Sequence, residues 1–297
     1  MRLAQPIDLR RTMAPIGHGR SDPTFRLAAD GVWRATRTPD GPGTIRLWMA
    51  AGDGRTVEAS AWGDGASWLL SRAAGMIGEL DSLTGFVPTR HPVVARLARS
   101  LGRLRLPRTE RVLDALVPAI LEQKVIGLEA RRSFAGLLRL AGEPAPGPAG
   151  LLLPPTPRAL GRIPSWDFHR IGVERKRADT IRRAASIAAQ LEDGANLGTG
   201  VLEQRLLTIP GVGPWTAAEV CRLALGDADA VSVGDYHLPN AVAWALAREP
   251  RADDERMLEL LAPFAPHRGR VVRLIEVGAG GAPRRGPRLR TRPIAWH

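Results

Sequence analysis

The chain has 297 residues, 44% hydrophobic and 24% charged, with a formal net charge of +12. One cysteine, Cys221, excludes an intrachain disulfide framework and any four-cysteine zinc or iron–sulfur site. No segment approaches the ~18 apolar residues of a membrane span, and the arginine-bearing first residues lack the apolar core of a signal peptide, so a cytoplasmic, nucleoid-associated protein without membrane partners is expected. A chain of this length favours two domains. Its excess of arginine suits phosphate, and nucleic acid is the favoured partner of such a charge.

Residues 1–20 carry no clear pattern and are expected to be poorly ordered. Residues 21–85 read as a small α+β domain. Alternation of period two predicts strands near 25–27, 32–36, 44–49 and 56–59, separated by Asp30-Gly31, Pro39-Asp-Gly-Pro42 and Gly52-Asp-Gly54. A helix over 65–74 is expected to cover the sheet. Residues 86–109 form an Arg/Pro-rich connector. His91-Pro92, Val93, Val94, Leu97 and Leu101 predict one amphipathic helix there, with Arg96, Arg99 and Arg103 on its wet side.

From 110 to 277 the chain is expected to be helical. Val112, Leu113, Leu116, Val117, Ile120 and Leu121 recur at helical spacing, and Pro118 predicts a kink. The Pro/Gly-rich 143–150 and the Pro154-Pro-Thr-Pro157 break read as an insertion between helices. Within Ile171-Gly-Val-Glu-Arg-Lys-Arg-Ala178 the charges read as a solvated surface, with phosphate contact by Lys176 or Arg177 as the alternative. Helices are expected over 236–246, 255–261 and 264–275. Residues 278–297 read as a basic Gly/Pro/Arg tail.

The informative stretch is Leu206-Leu-Thr-Ile-Pro-Gly-Val-Gly-Pro-Trp-Thr-Ala-Ala218. It predicts a helix, a tight turn and a second helix. Pro210 stops the first, Gly211 and Gly213 allow backbone angles closed to other residues, and Pro214 suits an opening helical turn. Such a turn aims several N–H groups and a helix dipole at one point, which makes an anion site. About twenty residues on, an apolar run (Ala230, Val231, Val233) ends at Gly234-Asp235, where a new helix begins. Alone, Asp235 reads as an N-cap.

The hairpin with its aspartate resembles the helix-hairpin-helix, Gly/Pro-rich loop, aspartate superfamily of DNA glycosylases, most of all its alkylated-base branch of the 3-methyladenine DNA glycosylase II type. The resemblance covers roughly 105–280. It implies a mainly α fold, with an all-helical core preceded by an antiparallel-sheet domain. It also implies double-stranded DNA with a damaged base as partner, a monomer, and no cofactor or metal.

By this resemblance Asp235 is catalytic, and Gly211, Val212, Gly213 and Thr216 bind the DNA backbone. The segment Ala119-Ile-Leu-Glu-Gln-Lys-Val-Ile-Gly-Leu-Glu-Ala130 resembles the family segment Ile-Leu-x-Gln-x-Val-Ser. That assigns Gln123 to probing the strand and Lys124 to the wedge filling the vacated stack. The family wedge is usually apolar, so Lys124 either covers the gap with its methylenes or is a loop lysine on the DNA face. Trp215 stands where strand-cutting members carry the lysine that forms a Schiff base, which implies a hydrolytic, monofunctional enzyme. Its ring either faces a cationic base or packs the hairpin helices.

Tyr236, His237, Glu219 and His267 complete the expected base pocket. Glu219 and His267 stand where relatives often place aromatics, so the preferred base is open. Arg268 corresponds to an arginine that meets DNA or braces the site. The rival readings are a noncatalytic DNA-binding hairpin protein and a glycosylase for uracil or deaminated bases.

Overall fold

The computed structural model describes residues 1–52 and 54–280. Four strands, β1 (Phe25–Ala28), β2 (Gly31–Thr38), β3 (Gly41–Met49) and β4 (Val57–Trp62), form an antiparallel sheet in chain order. The pairing puts Arg34 opposite Ile45 and Leu47 opposite Ala59, so Val32, Ile45, Leu47 and Val57 enter one core. Helix α2 (Ala66–Met76) supplies Leu69, Ala73 and Met76 to the same core.

Residues 1–20 are not the loose segment the sequence suggests. Leu3, Ile7, Leu9, Met13 and Ile16 are buried in that core, and α1 (Leu9–Met13) is capped by the Asp8 side chain. Arg2 bridges to Thr56, and the Leu3 amide donates to the Arg55 carbonyl at 2.8 Å. Apolar side chains and a free strand edge both lacked partners that only this segment supplies.

After α3 (Pro92–Ser100) come α4 (Val112–Glu122) and α5 (Gly127–Ala141). The expected linker instead folds into a small hairpin of β5 (Glu143–Pro144) and β6 (Leu152–Leu153). It lays Ala149, Leu151 and Leu153 against Trp33 and Ala35, covering the sheet's second face. Trp33 stacks on Trp62 with centroids 5.3 Å apart. Helices α6 (Pro157–Arg162), α7 (Ser165–Arg170), α8 (Arg175–Ser186), α9 (Ala188–Asn196) and α10 (Thr199–Leu207) follow. The chain then forms α11 (Pro214–Ala224), α12 (Leu238–Ala247), α13 (Asp254–Leu261) and α14 (Arg268–Gly278).

Residues 115–121 of α4 are all buried, in a core shared with α5, α8, α9, α10 and α11. A second helical core joins α3 to α12, α13 and α14, so the expected connector packs into the C-terminal end of the fold. Cys221 is buried in the α4 core. Burial, with Asp227 and Glu203 nearby, pushes its thiol up to about 12, so it packs as an inert side chain. The basic tail lies outside the described residues beyond Gly280. Among the described residues no helix is long and apolar enough to cross a membrane.

Buried ion pairs tie β2 to α4 and the segment after α2 to α14. Arg34 on β2, 3% exposed, meets Asp114 of α4 at 2.8 Å, and the Thr36 hydroxyl donates to the same carboxylate at 2.5 Å. Arg270 of α14 pairs with Asp81, just beyond α2, at 2.8 Å and also donates to the Ser82 carbonyl at 3.0 Å. Removing one partner of a buried pair strands the other charge. Asp114→Ala is expected to cost about 3–5 kcal/mol in urea unfolding, more than Glu143→Ala at the exposed Arg37 pair.

Candidate active site

The segment 206–218 folds as the sequence predicts. α10 ends at Leu207, residues 208–213 turn, and α11 starts at Pro214. Gly211 has φ +100°, and a Cβ there would run into the Thr180 hydroxyl, so the turn requires glycine twice over. Gly213 differs from expectation. Its φ of −112° suits any residue and a Cβ would meet nothing, so its contribution is a bare surface.

Val212 is buried and its amide closes the turn onto Ile209 at 2.9 Å. The N–H groups of Gly211, Gly213, Trp215 and Thr216 have no acceptor among the described residues. These orphan donors lie together at the positive end of α11, an arrangement that favours an anion. The turn is held from behind by three side chains. Thr180 and Arg183 of α8 each donate to the Pro210 carbonyl at 3.3 Å. Gln123 donates to the Gly211 carbonyl at 3.0 Å and to the Thr216 hydroxyl at 2.8 Å.

That last contact revises the expected role of Gln123. Its amide nitrogen is spent on the hairpin, so it ties the α4–α5 loop to the turn at 208–213 rather than reaching toward a strand. Thr216 is likewise buried as an acceptor. Lys124 is exposed at the loop tip with φ +56°, a conformation that a non-glycine residue rarely adopts without tertiary support. Arg177, expected on the surface or near phosphate, is buried instead. Its Nη1 donates to the Leu121 carbonyl at 2.7 Å, satisfying an orphan acceptor at the C-terminus of α4. Lys176 remains exposed.

Asp235 is half-buried in the turn before α12. Its Oδ1 accepts the backbone N–H groups of His237 and Leu238 at 2.7 and 2.8 Å. Its Oδ2 accepts Trp215 Nε1 at 3.1 Å. Asp235 therefore shapes the entry to α12 as an Asx-type turn from two residues before His237, which holds the N-cap position that the sequence suggested for Asp235. Asp235 is also fastened to the first turn of the hairpin's second helix, which the sequence could not show. Trp215 packs partly against the α4 core while its indole N–H orients the carboxylate.

Glu219, one turn beyond Trp215, accepts the Ser232 hydroxyl at 2.5 Å and pairs with Arg222. Burial works against the Arg222 charge, but Glu219 and Glu276 outweigh it and hold the guanidinium ionised. Glu122, the last residue of α4, is half-buried in the same acidic neighbourhood. Burial first, then the charges of Glu219 and Asp235, push its carboxyl up to about 7, against the pull of Arg222 and Arg131. The sequence reading missed Glu122, whose only signal was its place beside Gln123.

The other expected pocket residues part company. Tyr236 is 81% exposed and meets His237 edge-on at 4.9 Å, both beside Asp235 on the open surface. His267 is not a pocket residue: it is 4% exposed, with Nε2 2.8 Å from the Thr84 carbonyl and its ring against Phe86. Arg270 donates to its other nitrogen at 3.1 Å. Arg268 braces rather than reaches out, pairing with Asp229 through two nitrogens at 2.9 and 2.6 Å. The described residues hold no cluster of three His, Cys, Asp or Glu able to bind a metal.

No family model matches the sequence. Over 138 residues, 45% of the chain, it is 32% identical to a probable bifunctional transcriptional activator/DNA repair enzyme AlkA of Mycobacterium tuberculosis. The match takes in only 27% of the length of that curated relative. Among solved structures, a 3-methyladenine DNA glycosylase from Archaeoglobus fulgidus superposes with a TM-score of 0.79 at 17% identity, over 93% of this chain and 97% of that one. An 8-oxoguanine glycosylase/lyase from Clostridium acetobutylicum gives 0.67 at 13% identity, over 91% and 92% of the two chains. The Schizosaccharomyces pombe 3-methyladenine glycosylase Mag1, solved with abasic DNA, gives 0.54 at 18% identity, over 65% and 94%.

Two glycine variants separate fold from grip. Gly211→Ala forces a side chain into the left-handed region against Thr180 and is expected to cost roughly 1–3 kcal/mol of stability. Gly213→Ala is expected to leave the melting temperature unchanged and to weaken duplex binding several-fold, read by fluorescence anisotropy, because its methyl group stands where phosphate would approach. The chain thus shares the fold of the DNA glycosylases on which it superposes, with a helix–turn–helix hairpin at residues 206–218 and Asp235 hydrogen-bonded to it through Trp215.

Proposed function

We propose that the chain is a monofunctional DNA glycosylase that hydrolyses the N-glycosidic bond of alkylated bases turned out of duplex DNA. The observation that carries this reading is the hydrogen bond between Trp215 and Asp235, which puts a half-buried carboxylate beside the unpaired amides of the hairpin. A base within the stack is out of reach and must be extruded. The amides of Gly211, Gly213, Trp215 and Thr216 grip the backbone. The loop at Lys124, locked by Gln123, occupies the vacated space. Asp235 faces the sugar.

Breaking the glycosidic bond builds oxocarbenium-like charge on the sugar, and a fixed carboxylate in a partly dry site stabilises it. The same carboxylate orients the attacking water. Three donors keep Asp235 in place, so its charge needs no rearrangement as the reaction proceeds. An alkylated purine already carries positive charge, and the carboxylates of Asp235 and Glu219 beside the hairpin favour it. The indole of Trp215 adds a cation-attracting face in the same place.

Strand cleavage would need an amine at the sugar. Position 215 is tryptophan, and Lys124 and Lys176 stand on other elements. Borohydride treatment during turnover is expected to trap no covalent protein–DNA adduct, read by gel electrophoresis. An adduct would mark a glycosylase/lyase.

Asp235→Asn keeps an acceptor for the capping amides and loses the charge. Base release from methylated duplex is expected to fall about 10²–10³-fold, while duplex affinity changes by less than about threefold. If the wild type binds duplex and releases no base from methylated, uracil-bearing or deaminated substrates, Asp235 only shapes the entry to α12 and the chain is a binding protein. Affinity is expected to fall with salt at a slope of roughly −0.9 per phosphate neutralised. A flat salt dependence would rule out phosphate gripping.

A further inference from the structure

Three carboxylates from three elements converge beside the hairpin, and they differ in what holds them. Asp235 accepts three N–H groups, one from Trp215 and two from the backbone. Glu219 accepts the Ser232 hydroxyl and an arginine. Glu122 alone has no hydrogen-bond donor among the described residues, although it is half-buried and its neighbour Gln123 is fixed to Gly211 and Thr216. A partly desolvated carboxyl with no protein partner is one that a ligand is placed to satisfy.

Resting on the glycosylase reading above, we propose that Glu122 is a second catalytic residue, a general acid that protonates the departing base and so extends the enzyme to uncharged purines. Carboxyl groups whose surroundings push them apart divide into acid and base. The groups around Glu122 favour its neutral form. Glu219 on α11 and Asp235 in the turn before α12 repel its charge. Arg222 of α11 and Arg131 of α5 attract it, but Arg222 is shared with Glu219 and Glu276. Arg273 of α14 faces Glu276 and Glu219, and Arg177 of α8 faces Glu174 and Glu129 while donating to the Leu121 carbonyl. Lys124, two residues on, points to solvent. The shift of Glu122 to about 7 agrees with this arrangement and puts the change of state at physiological pH.

The step balances without any further reactant. As the sugar–nitrogen bond breaks, its electron pair leaves with the base, and the Glu122 proton passes to the base nitrogen that would otherwise carry the charge. Water adds to the sugar carbon and gives a proton to Asp235. Solvent returns a proton to Glu122 and accepts one from Asp235. The products are a neutral base and an abasic site. A base methylated to a cation leaves without that proton, so the demand on Glu122 divides substrates by charge.

The test is single-turnover base release by the full chain from two duplexes, one carrying hypoxanthine and one carrying 7-methylguanine, between roughly pH 5.5 and 8.5. With hypoxanthine the wild-type rate is expected to fall about tenfold per pH unit above about 7, and with the cationic base to stay level. Glu122→Gln is expected to slow hypoxanthine release by about 10²-fold or more, to remove its pH break, and to change 7-methylguanine release by less than about threefold. Asp235→Asn slows both. Equal losses on both bases in Glu122→Gln, or an unchanged pH profile, would leave Glu122 a structural residue and overturn the proposal. So would a wild type that releases only the cationic base. Failure of the wild type on both duplexes would instead overturn the glycosylase reading itself.

Discussion

Residues 115–121 of α4 are buried on every side, and the rest of the molecule follows from finding partners for that helix. A helix apolar all round has no solvent face, so the helices from α5 to α11 share one core with it. Its ends then need hydrogen bonds from distant chain. At the start, Glu192 of α9 accepts the Val112 and Leu113 amides at 3.1 and 3.2 Å. At the finish, Arg177 takes the Leu121 carbonyl. Both termini are therefore fixed by buried charge, and Asp114 adds a tie to the sheet. Nothing about α4 can shift without stranding a charged group.

That rigidity is what the site uses. The last residue of α4 is Glu122, and the next, Gln123, locks onto the hairpin. Trp215, three positions after Val212 in the turn, holds Asp235. The unpaired amides of the hairpin, the Lys124 loop and the carboxylate are thus connected by two hydrogen-bonded joints rather than by flexible linkers. Positioning of this kind is worth more to a reaction than any single contact, because the charge is already in place when the transition state forms.

The charge of +12 is distributed unevenly. Several arginines that composition would assign to DNA are structural. Arg34, Arg177 and Arg270 are buried, and Arg268 is paired with Asp229. The immediate surroundings of Asp235 are acidic instead. In the proposed reaction, net positive charge would draw in the polyanion, while a local carboxylate cluster would meet the positive charge that develops on sugar and base. The two requirements have opposite sign and are met at different depths.

The sequence by itself determined what depends on neighbouring residues. The positions of the four strands, the stripe of α4 and the Pro-Gly turn are local properties, and the fold reproduces them; alternating burial is not reproduced in β2, where Val32 to Thr36 are all buried because β5 and β6 cover the second face. Pattern could not reach the first twenty residues, because Leu3, Ile7, Leu9, Met13 and Ile16 follow no single period and are ordered only by the sheet core they complete. Nor could it assign partners across the chain. His267 meets Thr84 at a separation of 183 residues, Gln123 meets Thr216 at 93, and Arg177 meets Leu121 at 56. A polar side chain of given type reads the same whether it faces DNA or a buried carbonyl. Only tertiary structure decides, because it alone sets which groups lose water and which donors remain to replace it. Glu122 is the sharpest case: its chemistry comes from burial and from two carboxylates far along the chain, and no motif records either.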